Sequence, residues 1–221
     1  MLPIDGISFK KRLTMSNLPA KINPNLIGYQ DLMNSSDWSK LHPSIQRRFS
    51  VNLYESVVYQ GKMREIYLSF AGKLLAQCCR LIGNPLALYS GKDVPVRVKV
   101  YANNQLGGMT WDRFYQYKNK PTNRVKSTKC KDDNGQLVEM VGFGFGMELD
   151  VFERNQAITF ESQRFFWKFK KLNITIPDWL SPGKTTVSQQ ALNNHQFEFQ
   201  LDVTHKFLGK VFKQIGVFEA V

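Results

Sequence analysis

The chain has 221 residues, of which 43% are hydrophobic, 13% aromatic and 22% charged. This composition excludes a disordered polar tail and a small disulfide-stapled fold, and the length predicts one domain with a sizeable core. The excess of 30 lysines and arginines over 18 acidic residues gives a net charge of +12, which favours anionic partners. No group of residues matches a catalytic or cofactor motif closely enough to name a reaction.

Cysteine usage and hydropathy predict a cytoplasmic, soluble protein. Cys78, Cys79 and Cys130 lack the spacing of zinc or redox sites, which is typical of a reducing compartment. No apolar stretch is long enough for a membrane-spanning helix, and residues 1–30 contain no secretory signal.

The N-terminal part of the chain predicts a flexible arm followed by short helices. Residues 1–28 combine three prolines with a basic run and show no apolar period, so we assign them to an arm and residues 29–221 to a single β-rich domain. The apolar spacing within 29–50 predicts one or two short helices, with Pro43 at a helix start.

Residues 62–83 predict one long helix. Apolar residues from Ile66 through Phe70 and Leu74 to Leu81 recur at the helical spacing of three, four and seven. Gly83, followed by Pro85, predicts its end, since glycine adopts the left-handed cap and proline cannot extend a helix.

From Val94 onward the apolar period changes to two, which is typical of half-buried strands. Turn signals at 103–104, 133–135 and 193–194 indicate hairpins between them. The predicted strands cover 94–100, 109–117, 123–130, 136–141, 143–151, 165–169, 184–191, 197–203 and 210–218.

This order of elements predicts an α+β, β-rich fold in which an antiparallel meander curls into a barrel or half-barrel. Closure removes exposed strand edges, and the long helix over 62–83 would cap the barrel. Gly142, Gly144 and Gly146 fall on one face of a single predicted strand, which indicates a sharp coil or a close approach by the helix or a ligand.

Charged residues among the strand apolars are the candidate binding groups, because a charge inside a barrel must be paired or used. Trp111, Arg113 and Tyr115 share one strand face. If that face points inward, Arg113 enters the interior and Glu139 is its predicted partner; if it points outward, Arg113 is a solvated cation. The candidate ligand-binding residues are Arg97, Trp111, Arg113, Tyr115, Glu139 and Trp167.

Neither a metal nor a cofactor is expected. His42, His195 and His205 are scattered and predict surface or capping roles rather than zinc ligation. The glycine run at 142–146 departs from the nucleotide-binding pattern because Met147 follows it and a strand continues.

Several sequence blocks, by their order and spacing along this chain, carry a family resemblance. The blocks are Val94-Pro95-Val96-Arg97-Val98, Trp111-Asp112-Arg113-Phe114, Leu137-Val138-Glu139, Ile176-Pro177-Asp178-Trp179-Leu180-Ser181-Pro182 and Phe207-Leu208-Gly209. Over residues 29–221 the chain resembles the bacterial domain of unknown function 4166 family. The resemblance implies a bacterial, usually cytoplasmic module, sometimes joined to a saccharopine-dehydrogenase-like domain, and it supplies no catalytic residues.

Three functions follow as hypotheses. The first is binding of an apolar or lipid-like small molecule in an aromatic-lined barrel, with Arg113 and Arg97 meeting an acidic head group. The second is an enzyme acting on a carbonyl or lipid-like substrate, with Glu139 as a general acid or base whose pKa is raised by desolvation. The third is an accessory domain for an oxidoreductase partner, by analogy with the fused relatives.

The net charge predicts reversible contact with an anionic membrane surface, and we expect no nucleic-acid partner because no nucleic-acid module is recognisable. The cations expected at that surface are Lys10, Lys11, Arg12, Arg47 and Arg48.

Overall fold

The computed structural model describes residues 28–50, 56–83, 86–170 and 172–221. The predicted arm therefore lies outside the described residues apart from Gly28. Short 3-10 turns cover Tyr29–Leu32 and Arg80–Ile82, and the α-helices are α1 (Ser35–Lys40), α2 (Pro43–Phe49) and α3 (Phe70–Cys79).

Eleven strands make up most of the described chain. They are β1 (Val57–Leu68), β2 (Gly91–Asn103), β3 (Gly108–Tyr115), β4 (Asn123–Lys131), β5 (Leu137–Gly142), β6 (Phe145–Arg154), β7 (Ala157–Phe169), β8 (Leu172–Ile176), β9 (Lys184–Ala191), β10 (Gln196–His205) and β11 (Gly209–Ala220).

The strands form a closed antiparallel barrel, which confirms the predicted β-rich fold. The sheet order is β6-β5-β4-β3-β2-β1-β11-β10-β9-β7, and a further pairing of β6 with β7 closes a ring of ten strands. β8 pairs only with the second half of β7, beyond the part of β7 that pairs with β9. Closure leaves the ten ring strands without a free edge.

The long helix predicted over 62–83 is wrong in its first part. Residues up to Leu68 continue strand β1, and only Phe70–Cys79 is α-helical. A β-bulge between Met63 and Glu65 shifts the register, so the inward side chains are Met63 and then Ile66, a spacing of three. A spacing of three also occurs in helices, so the apolar residues of β1 and of the helix after it read as one continuous helical pattern. Gly83 does end the 3-10 extension with a φ of +101°, as predicted.

Phe143 and Gly144 form a hairpin turn after Gly142 ends β5, so the single strand predicted to carry all three glycines is also wrong. Phe143 has a φ of +48° between Gly142 at +139° and Gly144 at +82°. Three successive residues in this region of φ reverse the chain, which is why glycine stands on both sides of Phe143. Strand β6 begins afterwards, at Phe145.

Helices α1 and α2 close the end of the barrel at which β1 begins. Pro43 is the first residue of α2, as predicted, and the His42 ring accepts a hydrogen bond from the Ser44 N–H at 3.2 Å. The rings of Tyr29 and Phe49 meet edge to face at 5.2 Å, and both contact Phe160 of β7 at 5.7 Å. The opposite end, where β1 passes into α3, carries the candidate site. Among the described residues, no helix is long and apolar enough to cross a bilayer.

Candidate functional site

A cavity of about 310 Å³ occupies the barrel interior at the α3 end. Strands β3 to β7 and β9 to β11 supply its walls through their inward side chains. Most of these side chains are apolar, among them Val125, Val141, Phe165, Val187, Leu201 and Phe212. The volume falls within the range of small-molecule sites, which are concave and mostly apolar with a few placed polar groups.

Helix α3 lies across the mouth of this cavity. It contacts β11 through Gly72, where an added Cβ would lie 1.9 Å from the Val211 carbonyl oxygen. Past its end, the Cβ position of Gly83 is 3.2 Å from the Val141 carbonyl oxygen of β5. Leu75, Cys78 and Cys79 face the cavity between these points, together with Leu86 and Leu180 from neighbouring segments.

Arg113 is the polar group that faces this apolar space without a carboxylate partner. Its Nη1 donates to Ser127 Oγ at 3.1 Å, and no acidic oxygen of the described residues lies within 4.0 Å of its guanidinium. β3 runs toward the mouth, so Tyr115 lies above Arg113 and the buried Trp111 below it. The inward alternative of the sequence interpretation is therefore the correct one.

Glu139 faces the cavity but pairs with Lys129 rather than directly with Arg113. Lys129 Nζ lies 2.9 Å from Glu139 Oε2, and both side chains are almost fully buried, at 5% and 7% exposure. Burial alone would raise the pKa of Glu139, but the nearby Lys129 and Arg113 charges and hydrogen bonds from Ser127 and Lys129 lower it below its ordinary value. Burial lowers the pKa of Lys129, against the attraction of Glu139.

This pairing does not favour Glu139 as a general acid. The predicted rise in its pKa is opposed by two neighbouring cations, so the group remains a carboxylate. Its observed partners make it the acceptor of a buried network that runs from Arg113 through Ser127 to Lys129.

Gln214 provides a second unused donor in the cavity. Its Oε1 accepts a hydrogen bond from the Tyr115 hydroxyl at 3.1 Å, whereas its Nε2 has no acceptor although the side chain is 1% exposed. A buried amide donor without a partner costs free energy unless a ligand or water satisfies it. Arg113 and Gln214 therefore each offer N–H donors to a ligand that carries acceptor atoms.

Arg48 of α2 adds a third cation deeper in the barrel. Its guanidinium lies between the rings of Tyr59 and Phe197, 3.8 and 3.6 Å from their centroids, and its Nε donates to Gln189. Burial, together with the smaller effect of the Arg113 charge, lowers the pKa of Arg48 to about 10. Within the described barrel interior, the cations Arg48, Arg113 and Lys129 thus outnumber the single carboxylate, Glu139.

The other predicted site residues lie outside the cavity centre. Trp167 borders its wall, with its ring 6.0 Å from that of Phe145 and its indole N–H donating to the Phe143 carbonyl at 3.0 Å. Arg97 is exposed on the outer face of β2, so the structure does not bring it to the cavity.

Lys129 and Gln214 are site residues that the sequence interpretation missed. The alternation of Val125, Ser127 and Lys129 places all three on one face of β4, and this signal was available in the sequence. Gln214 interrupts an alternating apolar run in β11 in the same way. Polar residues at predicted inward positions were the indication in both cases.

The His42 and His205 rings have hydrogen-bonding roles, and no group of three potential metal ligands occurs among the described residues. His205 is buried, and its Nδ1 accepts from the backbone N–H groups of Phe207 and Leu208. His195 lies in the exposed β9–β10 turn. All three cysteines are free thiols, of which Cys78 is exposed. The absence of a cofactor stays a prediction.

Comparison with known proteins identifies a family. No curated protein and no solved structure matches the chain. The sequence pattern of one family, described as "Domain of unknown function (DUF4166)", matches residues 41–218, from the start of α2 through most of β11. Because the match covers the whole barrel and most of the chain, this protein belongs to the domain of unknown function 4166 family.

Proposed function

We propose that this protein binds an amphipathic, lipid-like molecule inside the barrel, with an acidic head group at Arg113 and an apolar body that extends toward α3. The observation that carries the proposal is an apolar cavity containing an arginine with no carboxylate partner. A cation inside an apolar cavity without a counter-charge is costly, and an anionic ligand would remove that cost.

The charge balance of the interior supports an acidic head group. Arg48, Arg113 and Lys129 outnumber Glu139, so the described interior lacks two negative charges. Gln214 Nε2 adds an unpaired donor beside Tyr115. A carboxylate or phosphate monoester could accept from both the guanidinium and the amide, and charge-assisted hydrogen bonds are the stronger kind.

The shape and lining of the cavity support an apolar body of moderate size. A volume of about 310 Å³ lies near the lower end of the range for ligand sites, so a medium-chain tail fits better than a full phospholipid. Leu75, Leu86 and Leu180 at the mouth would contact the distal part of such a tail.

Isothermal titration calorimetry with dodecanoate and dodecanol, both kept below micelle-forming concentrations, tests the proposal. We expect dodecanoate to bind the wild-type protein, and Arg113→Met to weaken that binding by about tenfold or more through loss of a charged hydrogen bond. Dodecanol, which has no charge, should bind both proteins similarly. Native mass spectrometry of protein from a bacterial host should show a co-purified acidic ligand.

Two further variants make the result decisive. Arg97→Met removes an exposed arginine outside the barrel and should leave dodecanoate binding unchanged. Val187→Trp fills the cavity and should abolish binding of both probes. Binding that survives Val187→Trp in a folded protein, or a wild-type protein that binds neither probe, would overturn the proposal.

The other hypotheses stay predictions. For an enzymatic role, Glu139 is held in an ion pair with Lys129, and no group of three potential metal ligands occurs among the described residues. An oxidoreductase partner has no surface assigned to it. Neither has an observation that favours it over ligand binding.

A further inference from the structure

Helix α3 exposes the face that a soluble surface helix would bury. Its buried residues are the small Gly72, Ala76 and Cys79. Phe70 is 86% exposed, Leu74 is also exposed, and Leu81 in the 3-10 extension is 83% exposed. Phe70, Leu74 and Leu81 therefore point away from the barrel while Leu75 faces the cavity, so much of the apolar stripe is exposed, which is unusual for a surface helix.

Two loops beside α3 continue this apolar surface. The segment between β8 and β9 exposes Trp179 and Leu180, and the β10–β11 turn exposes Phe207 and Leu208. The antiparallel register places both connections at the end of the barrel where β1 passes into α3. The same end carries exposed Phe143 in the β5–β6 turn and exposed Leu172 at the start of β8.

His205 fixes the two loops in this exposed arrangement. Its Nε2 lies 3.3 Å from the Trp179 carbonyl oxygen, and its Nδ1 accepts from the Phe207 and Leu208 N–H groups at 3.2 and 3.3 Å. The loops are thus joined through one buried side chain, so the backbone holds four large apolar residues toward solvent.

Charge is distributed unequally between the two ends. In the described helix and connections of the α3 end, the only acidic residue is Asp178, against six cations that form no ion pair within 4.0 Å: Lys73, Arg80, Lys118, Lys120, Lys170 and Lys206. The described connections and helices of the opposite end carry three cations, Lys40, Arg47 and Arg48, and four acids, Asp31, Asp37, Asp132 and Asp133. Arg47 and Arg48, expected beside the exposed helix, therefore lie at the other end of the barrel.

We infer that the α3 end is a docking surface for an anionic lipid bilayer. Exposed aromatic and leucine side chains surrounded by unpaired lysines and arginines match the apolar interior and the anionic surface of such a bilayer. A second copy of the chain fits this end poorly, because a two-fold contact would bring six cations against six others. Docking would place the cavity mouth at the lipid surface.

Sedimentation with vesicles tests this inference without any cavity ligand, so its failure is distinguishable from that of the proposed ligand binding. We expect the wild-type protein to bind vesicles of equimolar phosphatidylcholine and phosphatidylglycerol, and to bind phosphatidylcholine alone weakly. Combining Phe70→Ser, Leu74→Ser and Leu81→Ser should weaken the partition about tenfold or more, through loss of inserted apolar area. These side chains are exposed, so the fold should be unaffected.

Matched variants distinguish vesicle binding through the α3 end from non-specific hydrophobic or electrostatic binding. Leu106→Ser with Leu192→Ser removes exposed leucines from the opposite end and should leave vesicle binding as in the wild type. Lys73→Glu with Lys206→Glu should weaken binding to anionic vesicles, whereas Lys126→Glu on the outer barrel wall should have a smaller effect. Trp179 should shift its emission to shorter wavelength on the vesicles, and Trp179→Phe should abolish that shift.

Three results would overturn the inference. The first is that the wild-type protein does not sediment with anionic vesicles. The second is that the triple serine variant binds vesicles as the wild type does. The last is that the wild type forms a stable dimer and the triple serine variant is a monomer. The first would leave an acidic protein as the occupant of this end, and the last would assign it to a second copy of the chain.

Discussion

Single residues inside the barrel define the chemistry of this protein, and the Lys129–Glu139 pair is the clearest case. The two residues are direct register partners on β4 and β5, and their nearly fully buried side chains meet at 2.9 Å. Each charge depends on the other, because neither has solvent to replace its partner.

Removing one member of this pair should destabilise the protein strongly. We expect Lys129→Met to lower the free energy of unfolding by about 3–5 kcal/mol, because it leaves Glu139 buried without its direct counter-charge. The double variant Lys129→Met/Glu139→Leu should recover most of this loss. Urea denaturation followed by circular dichroism measures both, and a single variant as stable as the wild type would contradict the prediction.

The lowered pKa of Glu139 predicts the direction of the acid response. As the pH falls, the unfolded chain takes up this proton before the folded protein does, so the contribution of Glu139 is complete above its ordinary pKa of 4.5 and declines below it. The free energy of unfolding of the wild type should therefore fall more steeply than that of Glu139→Gln between about pH 5 and pH 3. Glu219→Gln, at an exposed position, should keep the wild-type slope.

The three thiols should differ in reactivity. Burial raises the pKa of Cys79 and of Cys130 to about 11, from an ordinary 9.0. At pH 8 this lowers the thiolate fraction about 100-fold, while Cys78 is exposed. A disulfide reagent should find one fast thiol in the native protein, and Cys78→Ser should remove that phase. Two fast thiols in the native wild type would contradict the assignment.

At the scale of elements, α3 depends on a close approach that only glycine permits. The Cβ of an alanine at position 72 would lie 1.9 Å from the Val211 carbonyl oxygen, so the helix must move away from β11. We expect Gly72→Ala to cost about 1–3 kcal/mol of unfolding free energy. Lys73→Ala, one residue along on the exposed side, should change it by less than about 0.5 kcal/mol. Equal stabilities in thermal denaturation would show that α3 is not held at this point.

At the scale of the whole molecule, the barrel is closed at one end by packing and at the other only by a short helix. The ring cluster of Tyr29, Phe49 and Phe160 fills the end beneath α2. Phe49→Ala should therefore cost about 3–5 kcal/mol. The exposed neighbour Arg47→Ala should be close to neutral, and chemical denaturation compares the two. A small effect of Phe49→Ala would mean that α2 is not part of the core.

The sequence by itself determined most of the strands and turns of this protein. Alternation of apolar and polar residues predicted the barrel strands from Val94 onward except the first half of β7. The turn signals at 103–104, 133–135 and 193–194 fall at the connections between strands, as predicted. These signals are local, because side chains alternate along a strand and turn residues act through their own backbone. The same rules gave wrong predictions at the bulge in β1 and at the turn at Phe143, because each changes the period within a few residues.

Only the tertiary structure decided which faces are inside and which charges meet. Alternation places Trp111, Arg113 and Tyr115 on one face, but closure of the ring by β6 and β7 turns that face inward. Lys129 and Glu139 are ten residues apart in the chain and become partners through strand register. Helix α3 exposes Phe70 and Leu74 because Gly72 and Ala76 form the face that contacts the barrel. Burial depends on what surrounds a face in three dimensions, which no single segment of sequence specifies.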